Sequence, residues 1–434
     1  MGKAADFTPL ADCPALLPPR AGYRWELLGL LWIAFFLHQA DRQIYNNLLP
    51  LIEKDLHLSK TQLGLVTSTF TWIYGLMVPV GGYVGDRWSR KWIIILMLLI
   101  WSTGTLLTGL SAGLLGLIVF RGLASGFGEA FYAPSANSLL TQWHDKTRAL
   151  AMSLHQTALY TGIVASFAVG LLGENFGWRS GFYVFGGLGV LWAAVLAWRM
   201  DDTPQPRLAE TADRRRVSGK DLWEHMFSKP TVWLLTFGFV GMVFCQIGYL
   251  TWMPTLLHEK HGLSVTWAGL NALLYHHACA LFGVVVGGRL SDRLAQRWPR
   301  SRLAFQYVGL LGAAPFIYLM GRADSLLLCC TALALFGLFR GVYDSNLFAG
   351  PFEVVPPQYR ASLLGFILCF GFLAGAFAPV VLAQWAERFG LDRAVASLAA
   401  VHTLAGVLVV LAALISFGRD YRKTHLLERN PNYA

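Results

Sequence analysis

Six ionised side chains interrupt long apolar runs of this chain: Asp41, Arg42, Arg121, Glu129, Arg340 and Asp344. A charge at the centre of a membrane helix costs roughly 2.5–3.5 kcal/mol on insertion scales, so each needs a partner or a task. Three are basic and three acidic, so the set can balance itself. His38, Asp41, Arg42 and Tyr45 recur at steps of three and four, which puts them in one polar stripe facing a bundle interior. An arginine held there can grip a carboxylate with two parallel N–H bonds. The plainer alternative is a permanent Asp–Arg pair that staples helices together. Arg340 and Asp344 are four apart and can pair along one helix face. An internal salt bridge accounts for them as well as a solute contact does, and Arg121 is equally open to either reading.

The elements that must carry these residues are membrane helices. The 434 residues are 55% hydrophobic and 14% charged, with mean hydropathy +0.48. A soluble domain carries roughly 25% charged residues. Runs of about 20 apolar residues match the hydrocarbon thickness. Twelve are legible, at about 27–50, 62–84, 92–112, 114–136, 149–172, 180–198, 231–256, 267–288, 303–321, 325–350, 361–386 and 396–418. Residues 1–26 read as an N-terminal tail with no cleavable leader, 27–200 as one six-helix bundle, 201–230 as a linker, 231–418 as a second bundle and 419–434 as a tail.

The net charge of +10 reports topology. An even helix count puts both termini on one side, and 25 of the 35 lysines and arginines fall there. Seven fall opposite and three lie inside spans. By the positive-inside rule both termini are expected in the cytoplasm, with the lipid bilayer and not nucleic acid as the basic surface's partner. A bacterial inner membrane and a monomer are the expected setting.

Several other chemistries are set aside. Gly109-Leu110-Ser111-Ala112-Gly113 matches G-x-S-x-G, but it falls in a short turn between two apolar runs rather than on a strand-to-helix elbow. No phosphate-binding G-x-x-x-x-G-K-[ST] loop exists, and the loops leave no room for a nucleotide-binding domain. The six cysteines lack metal-ligand spacing. Adjacent His276 and His277 point about 100° apart and are poor co-ligands. No enzyme activity, metal or cofactor is expected.

A six-residue frame occurs twice, as Gly82-x-x-x-Asp86-Arg87 and Gly288-x-x-x-Asp292-Arg293, 206 positions apart. Each copy ends one apolar run and precedes the next, which suggests a duplicated bundle. The first copy continues to Arg90 and Lys91. It resembles the loop signature G-x-x-x-D-[RK]-x-G-[RK]-[RK] of the major facilitator superfamily, with Ser89 where glycine is usual. The resemblance covers about 27–418. It implies an all-α membrane protein of twelve transmembrane helices in two pseudo-symmetric six-helix bundles, working by alternating access. It also implies that Gly82, Asp86, Arg87, Arg90, Asp292 and Arg293 belong to a gate.

Within that superfamily, three stretches resemble the anion:cation symporter branch: Ala40-Asp41-Arg42-Gln43 through Leu49-Pro50, Gly126-Phe127-Gly128-Glu129-Ala130, and Gly177-Trp178-Arg179. Spinster-type lipid transporters share much of the pattern. The branch usually places the arginine and glutamate of its fourth helix seven apart; here Arg121 and Glu129 are eight apart. The resemblance implies proton-coupled symport of a small organic anion, such as a sugar acid. It makes Arg42 the carboxylate clamp and Asp41 and Glu129 the proton carriers.

Around that centre, Arg121 and Arg340 are expected to bind solute, and Tyr45, Gln156, Tyr249 and Asn346 to contact its hydroxyls. His38, one turn from Asp41, and Asp344 join the proton path. Gln246, His276 and His277 are more simply interhelical hydrogen-bonding groups. The rivals are a spinster-like exporter of lysolipid or another amphiphile, and a uniporter or sodium-coupled carrier.

Overall fold

A computed structural model describes residues 22–85, 87–144, 147–201, 223–298, 300–356 and 359–429. Eleven helices among them are long and apolar enough to cross a membrane. They are α2 (Lys60–Gly85), α3 (Arg90–Thr108), α4 (Leu114–Trp143), α5 (Leu150–Phe176), α6 (Trp178–Arg199), α7 (Pro230–His261), α8 (Val265–Ala295), α9 (Ser301–Arg322), α10 (Leu326–Phe352), α11 (Ser362–Phe389) and α12 (Leu391–Thr424). The twelfth, α1 (Tyr23–Leu56), is as long as any of them, and its polar stripe is what lowers its hydropathy.

Helix starts obey local chemistry. Ser89, Ser264 and Ser325 cap α3, α8 and α10 by accepting from Trp92, Trp267 and Leu328 backbone N–H groups. Pro230 opens α7, where its missing N–H is harmless. Gly177 and Gly390, at φ 82° and 90°, make the sharp α5–α6 and α11–α12 turns that a side chain would strain.

Several helices outrun their apolar stretches. The 34 residues of α1 span about 50 Å, well beyond the ~30 Å hydrocarbon core. Hydropathy marks where lipid ends, not where hydrogen bonding ends. The same holds at the C-terminus, where helix continues through Phe417–Arg429. There Asp420 Oδ2 accepts from the Thr231 amide (3.2 Å) and hydroxyl (2.7 Å), tying the polar extension to the start of α7.

Helices α1–α6 pack as one bundle and α7–α12 as another. The apolar cores show how they meet. One core, including Leu27, Ile94, Leu98, Trp101 and Leu196, lies wholly in the first bundle near the termini. Another, including Val232, Phe239, Leu303, Val354 and Phe417, lies wholly in the second. A third core spans both, joining Leu48, Leu63 and Trp178 to Trp252, Leu256, Ala313 and Leu382. This shared core sits at the end away from the termini. The bundles are sealed there, and the space between them opens toward the terminal end.

Candidate solute-binding cavity

A cavity of about 390 Å³ lies between the bundles. The first bundle lines it with Gln39, Arg42, Gln43, Tyr45 and Asn46 of α1 and with Arg121 of α4; the second lines it with Gln246 of α7, His276 and His277 of α8, and Arg340 and Asp344 of α10.

The charges of the first bundle form one connected network. Arg42 Nε donates to Glu129 Oε2 at 2.8 Å. Arg121 Nη1 donates to Asp41 Oδ2 at 3.0 Å and lies 3.8 Å from Glu129 Oε1. Asp41 also accepts from the Thr105 hydroxyl of α3 at 2.6 Å. His38 Nε2 is 3.5 Å from Glu129 Oε2, and its ring packs among Phe35, Trp101 and Tyr132. Glu129 has no exposed surface, whereas the Arg42 side chain is 26% exposed. Arg42 is therefore the most exposed member of the network, and Arg121 also lines the cavity. Its Nε is committed to Glu129, its Nη2 is buried without a partner, and its guanidinium stands 4.4 Å from the Tyr74 ring centre. A guanidinium carries five N–H donors, and the Nε–Glu129 bond uses one of them.

Glycines let Glu129 sit this deep. A Cβ at Gly128 would lie 2.8 Å from the Met97 carbonyl oxygen of α3, and one at Gly126 would lie 2.8 Å from the Phe70 oxygen of α2. Neither helix could approach α4 so closely past a larger residue.

The eight-residue spacing of Arg121 and Glu129 has a local cause. Leu117–Ser125 is π-helical, with Arg121 at its centre. In a regular α-helix eight residues turn about 80° past full turns, and seven fall about 20° short. A π-bulge absorbs one residue without rotating the rest of the helix. Arg121 thus returns to the face of Glu129, and both reach Asp41 and Arg42.

In the second bundle Arg340 Nε donates to Asp344 Oδ1 at 2.9 Å, and Nη1 donates to Gln246 Oε1 at 2.7 Å. His277 and His276 stand beside this pair, His276 against Tyr249 and Phe336 with neither ring nitrogen hydrogen-bonded. Gln246, His276 and His277 gain their place on the cavity from tertiary packing; from sequence they were indistinguishable from ordinary interhelical polar groups.

Three expected solute contacts are not among the residues lining this cavity. Tyr249 is buried, and its hydroxyl donates to the Ala272 carbonyl. Asn346 is buried and accepts from Ser291 at 2.6 Å, fastening α8 to the end of α10. Gln156 is exposed on α5, one turn before the cavity-lining Leu159. The polar atoms of Tyr249 and Asn346 are already committed to protein. Tyr45 does line the cavity, but its hydroxyl donates to the Leu63 carbonyl at 3.0 Å.

The repeated frame lies at the open end. Asp86 falls outside the described residues. Arg87 stacks 3.5 Å over the Tyr83 ring centre, and Arg90 begins α3. A Cβ at Gly82 would meet nothing within 4 Å. In the second copy Asp292 lies 3.4 Å from Arg302, which lies 3.1 Å from Glu353, while Arg293 is exposed.

The sealed end holds a second repeat, unnoticed in the sequence: Glu174-Asn175-Phe176-Gly177 and Glu387-Arg388-Phe389-Gly390. Glu174, ending α5, accepts from the Thr266 amide (3.1 Å) and hydroxyl (2.6 Å) at the start of α8 in the other bundle. Glu387, ending α11, accepts from the Thr61 amide (2.8 Å) at the start of α2. Lys60 adds ion pairs to Glu53 and, across the bundles, to Glu259. The signal was there as a matching E-x-F-G frame, but its partners are on distant helices.

Two packed helical bundles around a central cavity with buried charges are the architecture of a membrane transporter. The Major Facilitator Superfamily model matches residues 31–379, and the chain belongs to that family. It is a transporter family, not an enzyme family, and the protein is a multi-pass integral membrane protein. The chain is 29% identical over 385 residues to a probable sulfoacetate transporter of Cupriavidus necator, covering 85% of this chain and 88% of that one. It is 28% identical over 388 residues to a chloroplastic ascorbate transporter of Arabidopsis thaliana (85% and 71%) and 24% identical over 394 residues to a hexuronate transporter of Bacillus subtilis (88% and 92%). Among solved structures, a bacterial homolog of the human lysosomal transporter Spinster, inward-facing and unoccupied, superposes with a TM-score of 0.77 at 25% identity, covering 93% of this chain and 98% of that one.

Proposed function

We propose that this protein carries a small organic anion together with protons by alternating access, as a monomer in a bacterial inner membrane with both termini in the cytoplasm. In that orientation the conformation described here is open to the cytoplasm. The positive charge of the terminal-side loops supports it.

One observation carries the reading. Arg42 is the exposed member of an otherwise buried network, with its Nη2 uncommitted and its Nε on Glu129. An anion arriving at Arg42 competes with Glu129 for the guanidinium. A buried carboxylate that loses its counter-charge takes up a proton. Asp41, held by Arg121 and Thr105, is the second acceptor on the same network, and His38 touches its edge. Binding and protonation then favour each other, which is what symport needs. The relatives named for sulfoacetate, ascorbate and hexuronate transport favour an anionic solute.

The spinster-like reading is favoured by the superposition on the Spinster homolog. The cavity has an apolar side at Phe70, Leu159, Ile247, Leu250 and Leu281 that suits an amphiphile, while Arg42, Arg121 and Arg340, beside Gln39, Gln43 and Asn46, suit a small anion. For the gate, the two Gly-x-x-x-Asp-Arg copies would close the cytoplasmic end in the alternate state.

The test is a solute panel in proteoliposomes: hexonates, hexuronates and short dicarboxylates, with lysolipid as control. Saturable uptake of one anion class supports the proposal. Lysolipid movement with no anion transport would overturn it.

A further inference from the structure

We infer that the solute is a dianion, with one anionic group held by Arg42 and the other by Arg340. This rests on the anion reading of the same cavity and narrows it to a class.

The two arginines stand on opposite bundles and line one cavity. They are built alike. Arg42 places Nε on Glu129 at 2.8 Å, and Arg340 places Nε on Asp344 at 2.9 Å. In each case the carboxylate belongs to the same bundle and accepts from Nε. Arg42 keeps Nη2 free of protein acceptors. On Arg340, Nη1 rests on Gln246, itself a cavity residue.

The ion pair of Arg340 is not a link between helices. Asp344 is on the same helix, four residues on, and only the neutral Gln246 contact reaches across to α7. Such pairs stabilise a helix only weakly, too little to offset placing two charges in a membrane span. A second anion-binding group facing the first is the economical account.

Size agrees. At about 30 Å³ per water, 390 Å³ holds roughly a dozen heavy atoms. That fits a short dicarboxylate or a carboxylate–sulfonate. A monoanion would satisfy one bundle and leave the other arginine with its own carboxylate alone. A dianion bridges both, so its binding energy also draws the bundles together at the open end.

The experiment measures binding to the purified full-length protein by titration calorimetry. The dianions are malonate, succinate and sulfoacetate; the monoanions are acetate, glycolate and gluconate. The inference expects at least one dianion to bind about tenfold tighter or more than any monoanion, and Arg340→Gln to remove that preference. Arg340→Lys, which keeps the charge, should retain part of the preference. Monoanions binding as tightly as dianions in the wild type would overturn the inference and leave the anion reading standing. Binding by neither class would instead overturn the anion reading itself. The wild-type comparison does not depend on any variant folding.

Discussion

Glu174 and Glu387 hold equivalent places in the two bundles, and each caps a helix of the other: Glu174 the start of α8 at Thr266, Glu387 the start of α2 at Thr61. Each sits three residues before a positive-φ glycine that turns the chain into the next helix. The pair is a reciprocal clasp at the sealed end. A carboxylate at a helix N-terminus contributes about 0.3–1 kcal/mol. Glu174→Gln combined with Glu387→Gln should therefore shift the balance away from the present conformation by roughly 3- to 30-fold. Spin-label distances across that end, between the α5–α6 and α7–α8 turns, would report it. An unchanged distance distribution would mean that the shared apolar core alone holds the seal.

The π-helical stretch around Arg121 predicts an unusual tolerance. Deleting Leu123, a lipid-facing residue within it, should let the stretch relax to α-helix without rotating Glu129. The deleted protein should express and keep measurable transport. Deleting Leu98 from regular α3 should abolish folding, because everything beyond it turns by about 100°. Equal loss in both would contradict the π-bulge account.

Asn346 and Tyr249 commit their polar atoms to fastening helices together. Asn346→Ala leaves buried Ser291 without its acceptor, which costs about 1–3 kcal/mol. Thermal stability should fall while solute affinity in the surviving protein stays within about twofold. A selective loss of affinity at unchanged stability would restore Asn346 to the binding site.

Lys229, just before α7, is buried where the linker meets the second bundle. Its Nζ donates to the Val354 carbonyl at 2.6 Å and the Thr424 hydroxyl at 2.8 Å. Burial pulls its ammonium down to about 8 from 10.5, against the opposing pull of Asp420. Between those values the unfolded chain holds the proton and the folded protein does not. Stability contributed by this group therefore rises as pH climbs from about 8 to 10.5. The melting-temperature difference between wild type and Lys229→Met should widen in favour of wild type across that window. A difference flat with pH would show that Lys229 does not titrate there.

Much of the architecture was legible because lipid imposes a single rule: about 20 apolar residues per crossing. That rule located twelve helices and placed Asp41, Arg42, Arg121, Glu129, Arg340 and Asp344 inside them. It could not give helix ends, since α1 and α12 continue past the apolar stretch on ordinary backbone hydrogen bonds. Nor could period counting foresee that a π-bulge brings Arg121 onto the face of Glu129. The protein partners of Tyr249 and Asn346 were not legible, because an intramembrane polar residue satisfied by protein reads in sequence like one awaiting a solute. The clasp of Glu174 and Glu387 stayed hidden because their partners, Thr266 and Thr61, are joined to them only by packing of the two bundles.

The central claim is that Arg42 passes between a solute anion and Glu129, and that Glu129 takes a proton when it does. The most direct test is proton movement and uptake in proteoliposomes containing wild type or Glu129→Gln. The wild type should take up protons with the anion, and the variant should lose proton-driven uptake while still exchanging labelled for unlabelled solute. Driven uptake that is unchanged in Glu129→Gln would contradict the account.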